Sequence, residues 1–327
     1  MDTGTHFVTG LALAGLAHLD PAVTADMKVT AAVLIGTAAG SQAPDLDGLL
    51  RLKGNSAYIR HHRGPTHSLP AIVGWTVAIT ALLRLLFGEL PLFTIALWTG
   101  IAVSVHVFQD LFNSYGTKVL WPFSHKWVAW NVIHIFDPFI FISQFVAIAM
   151  WLLQWAEPVL IFPVLYSLLA VYYTWRCIER FRVRKSLVHQ DRLYRAKDHD
   201  LIIPTVHPFH WNVVRMRGDE FLLGEWKNGR LTWIDHLVKA RHPAIDASIR
   251  HPDIAALLSH SSYVCPELRT HRWGYEVRWL DVRYRHRKHY PFVGVLLLDH
   301  NLEPLDAYVG WLSHTKLEKK LRVDSYG

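Results

Sequence analysis

Four apolar segments in the first half of the chain are each long enough to cross a membrane as a helix: 69–87, 91–112, 138–155 and 158–175. About 20 apolar residues in an α-helix cover the roughly 30 Å of hydrocarbon in a bilayer. Two shorter stretches, 7–17 and 30–43, are rich in glycine and alanine. Three structures are compatible with them: tilted spans, a re-entrant pair, or helices that pack against the others through small residues. The predicted fold of this half is therefore an α-helical membrane bundle of four to six transmembrane or re-entrant helices.

The second half of the chain carries more charge and shorter apolar runs. Alternating or β-rich apolar runs predict strands over 211–217, 220–226, 230–233, 275–284 and 291–298. Asn228-Gly229 is a strong hairpin signal, and 252–260 is predicted to form a short helix. We expect a small, mainly antiparallel β or α+β soluble domain. The predicted division is an integral membrane domain over 1–178, a basic juxtamembrane linker over 179–200, and a soluble β-rich domain over 201–327.

Basic residues crowd the segment that follows the last predicted span. They are Arg176, Arg180, Arg182, Arg184, Lys185, Arg192, Arg195 and Lys197. By the positive-inside rule this segment lies in the cytoplasm, and counting crossings backward puts the loop 45–67 on the same side. The first ten residues lack the basic region of a secretory signal. The sequence therefore predicts a multi-pass protein of the inner (plasma) membrane with a cytoplasmic C-terminal domain.

Imidazole and carboxylate side chains lie at the ends of the apolar segments, where a charged group near a bilayer needs a partner. His106 and Asp110 are four residues apart, so a helix projects both from one face. Asp45 and Asp47 follow Pro44 and, in an extended or turn conformation, are expected to point to one side. Nitrogen and oxygen donors of this kind bind zinc, with manganese or iron as alternatives. The predicted metal ligands are His6, Asp45, Asp47, His67, His106 and Asp110.

Each part of this set also has an ordinary structural explanation. His106 and Asp110 alone are more often a hydrogen-bonded pair, two aspartates in a loop are usually turn residues, and a basic loop can contact lipid headgroups. These explanations do not require all the groups to lie at the same membrane depth, as the predicted topology places them. The two cysteines are far apart, so the expected metal site depends on histidine and aspartate.

The order of these residues resembles a known family. The shared pattern is Thr5-His6-x-x-x-Gly10, Ser41-x-x-Pro44-Asp45-x-Asp47, His62-Arg63-Gly64-x-Thr66-His67-Ser68, His106-x-x-x-Asp110, Gly116-Thr117 and Trp121-Pro122-Phe123. It resembles the YdjM-type membrane-bound metal-dependent hydrolases, also described as LexA-binding and inner-membrane-associated, and in particular the YfhP-like bacterial members. The resemblance covers about 1–175. It implies an integral membrane protein of bacterial type with hydrolase activity, and it says little about the domain after Leu201.

A reaction follows from the predicted ligands. One or two divalent cations would activate a water molecule for attack on a phosphoryl or acyl centre. Arg60 and Arg63 are expected to hold a phosphate as paired cations, and His61 and His62 to act as general acid or as a further ligand. A helical His-x-x-x-Asp is also similar to zinc-dependent phospholipase C. These features favour a phosphoester or lipid-like substrate at the cytoplasmic membrane face.

Two other functions stay open. The protein is alternatively a non-enzymatic, metal-stabilised membrane scaffold, or a regulator whose soluble domain binds a protein partner. A transporter is less favoured because the polar residues gather at one face rather than at the bilayer midplane.

The histidines of the second half lack a repeated ligand spacing and are predicted to be surface or core residues. They are His199, His207, His210, His271, His286 and His289. The basic stretch 278–288 suits anionic lipid; it also suits nucleic-acid phosphates, but no nucleic-acid-binding module is present. The expected partners are therefore membrane lipids and the substrate, without nucleic acid.

Overall fold

The computed structural model describes residues 1–191, 194–195, 198–285 and 289–311. The chain divides into two compact units. The first comprises Met1–Asp47, Arg63–Arg184 and Pro204–Pro208. The second comprises Gly48–His62, Lys185–Ile203 and the described residues from Phe209 onward. The predicted division instead placed 48–62 in the membrane domain, 204–208 in the soluble domain, and 179–200 in a separate linker.

The first unit is a bundle of helices. These are α1 (Thr3–Leu16), α2 (Pro21–Thr24), α3 (Met27–Gly40), α5 (Leu69–Phe87), α6 (Leu92–Phe112), α7 (Pro138–Leu152) and most of α8 (Pro158–Gln190), while α4 (Asn55–His61) belongs to the second unit. The bundle confirms the predicted helical membrane fold. By length and composition, three helices in the described part of the chain can cross a membrane: Leu69–Phe87, Leu92–Phe112 and Pro158–His189.

Two of the predicted segments differ from the observed helices. Helix α7 has 15 residues, which at about 1.5 Å per residue is short of a bilayer's hydrocarbon thickness. The segment 138–155 is therefore an apolar helix but not one of the three candidate spans. Helix α8 has 33 residues and continues to Gln190 through much of the predicted linker, because its charged C-terminal residues are good helix formers.

Side-chain caps fix where the helices begin. The Ser68 hydroxyl accepts a hydrogen bond from the Ala71 amide at 3.3 Å, at the start of α5. The Asp137 carboxylate accepts from the Phe139 amide at 3.0 Å, at the start of α7. Each cap satisfies an amide that has no partner within its helix. Ser68 and Asp137 are therefore the N-cap residues of α5 and α7.

Small residues let α1 and α3 approach each other closely. Gly10 lies on α1 facing α3, and a Cβ atom built there would be 2.8 Å from the Thr37 carbonyl oxygen. That oxygen belongs to the backbone of α3 and can move only if the helix moves. Glycine is therefore required at this position by packing, as the composition of the two segments predicted.

We expect Gly10→Ala to lower the melting temperature of the detergent-solubilised protein, because the added methyl group forces α1 away from α3. Overpacking of this kind costs about 1–3 kcal/mol. Gly74→Ala is the matched control, since a Cβ at Gly74 meets nothing within 4 Å and alanine favours helix. Circular dichroism during heating measures the melting temperatures of both variants. Equal melting temperatures would contradict the close approach of α1 to α3.

The described residues of the second unit contain two four-stranded antiparallel sheets. The first has the order β1 (His199–Pro204), β2 (His210–Arg217), β3 (Glu220–Lys227) and β4 (Arg230–Val238). The second has the order β5 (Val264–His271), β6 (Gly274–Asp281), β7 (Phe292–Leu298) and β8 (Pro304–Trp311), with α9 (Pro243–Ser248) and α10 (Pro252–His260). The predicted soluble α+β domain, its helix over 252–260 and its five strands are confirmed.

The strand β7 forms the centre of the second sheet and is buried along its whole length. Phe292, Leu296 and Leu298 lie in the cluster that includes α9 and α10. Val293 and Leu297 lie in a different cluster, as expected where alternate side chains point to opposite faces. A continuous apolar run therefore marks a strand covered on both sides.

Candidate metal centre

Three elements of the first unit bring the donor side chains together. Helix α6 presents His106 and Asp110 one turn apart, with relative exposures of 1% and 0%. A 3-10 helix over Ala43–Lys53 supplies Asp45, and the short 3-10 turn Pro65–His67 supplies His67. Four of the six predicted ligands form one group, in which one donor atom from each residue lies within 4.8 Å of every other.

The spacing of these four atoms suits a small divalent cation. His67 Nε2 is 3.2 Å from His106 Nε2, 3.3 Å from Asp110 Oδ2 and 3.5 Å from Asp45 Oδ1. His106 Nε2 is 3.7 Å from Asp110 Oδ2 and 3.8 Å from Asp45 Oδ1. Tetrahedral bonds of about 2.1 Å would separate ligand atoms by roughly 3.4 Å. The geometry of the four donors therefore fits a zinc-sized ion.

Outer hydrogen bonds orient both imidazole rings. His106 Nδ1 donates to the Ser41 carbonyl oxygen at 2.7 Å, and His67 Nδ1 lies 3.1 Å from the Thr66 hydroxyl. A neutral ring that holds its proton on Nδ1 leaves the Nε2 lone pair free for a metal. Both rings thus turn Nε2 toward the donor group and Nδ1 toward an outer partner.

Two carboxylate oxygens complete the group without a hydrogen bond of their own. Asp45 Oδ1 and Asp110 Oδ2 are buried and accept no hydrogen bond from the described residues. A buried anionic oxygen without a partner is costly. A cation between these oxygens and the two Nε2 atoms would remove that cost, so the donor set fits a metal ion.

The charges around the group also favour a cation. Burial raises the pKa of Asp45, but His67 and then His106 outweigh burial and hold that pKa below its usual value. Burial lowers the pKa of His67, but Asp110 and Asp45 outweigh burial and raise it. The Asp45 carboxylate therefore keeps its negative charge and attracts positive charge to this point.

Asp47 is not one of these four donors, although its carboxylate and that of Asp45 belong together to a second group that could hold a metal ion. It lies two residues after Asp45 on the same 3-10 helix, where each residue turns the chain by about 120°. Asp45 Oδ1 consequently faces His67 Nε2, whereas Asp47 Oδ2 lies 3.6 Å from His67 Nδ1 and accepts a hydrogen bond from the Thr66 hydroxyl at 2.6 Å. Asp47 therefore also supports the far side of the His67 ring, and its predicted role as a metal ligand stays a prediction.

The second oxygen of Asp110 is held by a separate set of groups. Asp110 Oδ1 contacts the Met1 amino group, lies 3.3 Å from His6 Nε2 and 3.1 Å from an Arg63 guanidinium nitrogen, and accepts from the Asn113 amide at 3.0 Å. His6 also stacks on His106, with ring centroids 3.7 Å apart. His6 is therefore in contact with the four-donor group and faces the other side of Asp110.

Arg63, which was predicted to bind a substrate phosphate, contacts three groups of the protein. Its side chain is 4% exposed and donates to Asn113 Oδ1 at 3.2 Å and to the Met1 carbonyl oxygen at 3.2 Å, in addition to Asp110. The guanidinium group is thus occupied by the protein itself. Two further residues of the site were not predicted: Asn113, which accepts from Arg63, and Ser41, which accepts from His106. The only sequence signal for Asn113 is its helical spacing from Asp110.

The other predicted catalytic residues lie on the second unit. Arg60 and His61 are exposed residues of α4, and Arg60 donates to the Pro252 carbonyl oxygen at 3.4 Å. His62 stacks on Tyr58, with ring centroids 4.5 Å apart. Their catalytic roles stay predictions.

Among the described residues, the histidines of the C-terminal half form no comparable group. None of the described histidines at 199, 207, 210, 271 and 289 belongs to a cluster that could hold a metal ion. Two arginines of the basic stretch 278–288 are buried: Arg278 pairs with Glu276, and Arg283 donates to Asp281 Oδ2 at 2.6 Å. His286 and the rest of 286–288 lie outside the described residues. The stretch is therefore partly internal rather than a continuous basic surface.

Candidate membrane spans and a buried Asp/His cluster that could hold a metal ion together define the class: a membrane protein with a possible metal centre. The chain belongs to the YdjM inner membrane protein family, whose model matches residues 1–183. The YfhP C-terminal alpha/beta plait domain matches residues 243–321. The chain is 42% identical over 329 residues to the "Uncharacterized protein YfhP" of Bacillus subtilis (strain 168), covering 99% of this chain and 100% of that protein. No solved structure matches.

Proposed function

We propose that Asp45, His67, His106 and Asp110 bind a divalent metal ion, zinc in the first place and manganese or iron as alternatives. We further propose that the protein is a membrane-bound metal-dependent hydrolase. The observation that carries the proposal is the pair of buried carboxylate oxygens that accept no hydrogen bond from described residues and face two imidazole Nε2 atoms. Groups of this kind are arranged for a ligand rather than for each other.

A bound divalent ion would lower the pKa of a coordinated water toward 7 and stabilise negative charge on a phosphoryl oxygen. The surrounding residues hold the donors in place. Arg63 and Asn113 fix Asp110, the Ser41 carbonyl fixes His106, and Thr66 fixes His67. Asp45 has a side-chain exposure of 16%, whereas His67, His106 and Asp110 are at 0%. Water and substrate would therefore approach from the side of Asp45.

The proposed substrate is a phosphoester or lipid-like molecule. A site at the end of membrane helices is within reach of headgroups, and a hard, positively charged centre suits a phosphate oxygen. His61 or His62 is proposed as the general acid and Arg60 as a phosphate contact. Arg63 orients Asp110, because its donors are already engaged.

The alternative is a metal-stabilised scaffold or regulator without enzymatic activity. Four protein donors around one ion resemble a closed structural site, whereas catalytic zinc sites usually keep one position open. Four protein ligands favour the scaffold. Catalysis would require that water replace Asp45 as a ligand, or that the ion bind a fifth ligand. The role of Asp45 is thus the point that separates the two functions.

Hydrolysis assays decide between them. We expect zinc-loaded protein in mixed micelles to hydrolyse a phosphodiester or a phospholipid, and His67→Ala to lose both zinc and turnover. His18→Ala is the matched control. The His18 ring nitrogen Nδ1 donates a hydrogen bond to the Ala14 carbonyl oxygen of α1, and His18 is not a member of the donor group. Stoichiometric zinc without turnover on phosphoester or ester substrates would support the scaffold.

We also propose that the site and the C-terminal unit face the cytoplasm. The support is the run of arginines and Lys185 at the end of α8, which the positive-inside rule places there. Protease added to intact spheroplasts is then expected to leave the C-terminal unit uncut and to cut it after lysis. Cleavage in intact spheroplasts would reverse the orientation.

A further inference from the structure

A short segment of the chain links the two units at the metal centre. The chain leaves the first unit after Asp47 and re-enters it at Arg63, and the intervening Gly48–His62 folds as part of the second unit. In sequence this segment interrupts the predicted membrane domain. The two residues that flank it, Asp47 and Arg63, contact the candidate ligands His67 and Asp110.

Within the second unit, the segment is anchored by apolar packing. Its helix α4 packs against α10 and β8. Ile59 is 7% exposed and belongs to the core cluster that contains Ile254, Leu257 and Phe292. Asn55 adds a polar contact by donating to the Val309 carbonyl oxygen at 2.9 Å. The segment is therefore built into the core of the second sheet rather than lying on its surface.

Within the first unit, the two ends of the segment are joined to each other and to the donors. The Arg63 amide donates to Asp47 Oδ2 at 2.9 Å, which closes the loop at its base. Asp47 supports His67 at Nδ1, and Arg63 holds Asp110. Arg63 has φ of 59°, a left-handed conformation that is costly for a residue with a side chain and persists only when its surroundings fix it.

We infer that the C-terminal unit positions the metal centre through this covalent link, with Ile59 as the positioning residue. Ile59 holds α4 in the core of the second unit, and α4 leads directly into Arg63, whose backbone amide and side chain act on Asp47 and Asp110. Residues that orient metal ligands typically change metal affinity by about 10- to 100-fold when they are altered. The inference rests on the proposed metal site and assigns a role to the C-terminal unit.

The test compares two isomeric side chains in the full-length protein. Ile59→Ala and Leu297→Ala remove the same number of carbon atoms from buried positions of the second unit, but Leu297 lies in the cluster that does not contain α4. We expect Ile59→Ala to raise the dissociation constant for zinc by about tenfold, measured by competition with a chelator, and Leu297→Ala to leave it unchanged. Ile59→Val, which keeps most of the side chain, is expected to restore affinity.

Hydrogen–deuterium exchange gives a readout that does not depend on metal. Ile59→Ala, and the milder Asn55→Ala, are expected to speed exchange of the amides of 63–68, whereas Leu297→Ala is not. Equal effects of Ile59→Ala and Leu297→Ala on these amides, or none from either, would overturn the inference. Wild-type protein that binds no zinc would overturn the proposed metal site instead, and the exchange experiment would still test the link.

Discussion

Replacing Asp110 with asparagine is expected to strip the protein of its metal ion. The substitution Asp110→Asn keeps the shape of the side chain but removes the charge that balances the cation. It also replaces one carboxylate oxygen with an amide nitrogen, which has no lone pair to offer a metal. Loss of a direct ligand should cost more than the roughly 10- to 100-fold that loss of an outer partner costs. Metal content per chain after dialysis measures the effect.

Glu157→Gln is the matched control for that experiment. Glu157 is an exposed residue of the first unit, so its loss removes one negative charge from the same unit without touching the donor group. We expect its metal content to equal that of the wild type. Helicity by circular dichroism should be compared for both variants, because Asp110 also contacts the buried Arg63. Asp110→Asn protein that keeps its helicity and a full complement of metal would rule out Asp110 as a ligand.

The second large effect is expected from Arg215→Met in the C-terminal unit. The Arg215 side chain is fully buried and donates to Asp200 at 2.7 and 2.8 Å. It also contacts Asp191 and lies 3.4 Å from Asp198. Methionine fills similar volume but leaves these carboxylates without their common cation. Breaking a buried ion pair by removing one partner costs about 3–5 kcal/mol, so chemical denaturation should show a clear loss in the free energy of unfolding.

Arg241→Met provides the comparison for Arg215. Arg241 pairs with Asp219, and its side chain is 85% exposed. Exposed ion pairs contribute little, because water screens them and both side chains lose freedom in forming them. We therefore expect Arg241→Met to leave the denaturation midpoint nearly unchanged. Equal free energies of unfolding for Arg215→Met and Arg241→Met would contradict a stabilising role of the buried Arg215 ion pairs.

Much of the bundle was predictable because its signals are local. Apolar length identified the helices, and Ser68 and Asp137 marked where α5 and α7 begin. In the second unit, Asn228 and Gly229 have φ of 49° and 78°, as a two-residue hairpin turn between β3 and β4 requires. These features depend on a few neighbouring residues and on the backbone.

The candidate site was predictable in composition but not in arrangement. Helical spacing was enough to pair His106 with Asp110, since both lie on α6. The backbone around Asp45 and Asp47 was not predicted, because nothing local distinguishes an extended turn from a long 3-10 helix. The role of Arg63 depends on Asn113 and Met1, which are distant in sequence. The strands β1, β5 and β8 escaped prediction for a similar reason, since their alternation is weak and their pairing comes from neighbours.

The membership of Gly48–His62 in the C-terminal unit could not be predicted either. This segment follows the aspartates and precedes His67 in sequence, so it looks like a connecting loop of the membrane domain. Ile59 is its one buried residue, and the sequence does not distinguish it from the neighbouring leucines or reveal which core it enters.

X-ray absorption at the zinc edge of the metal-loaded protein tests the central claim most directly. The account predicts one zinc ion per chain with nitrogen and oxygen neighbours at about 2.0–2.2 Å, including the outer-shell scattering of imidazole rings. Sulfur is not expected, because burial raises the pKa of Cys265 to about 12. A spectrum with sulfur neighbours at about 2.3 Å, or with no imidazole contribution, would contradict a centre built from Asp45, His67, His106 and Asp110.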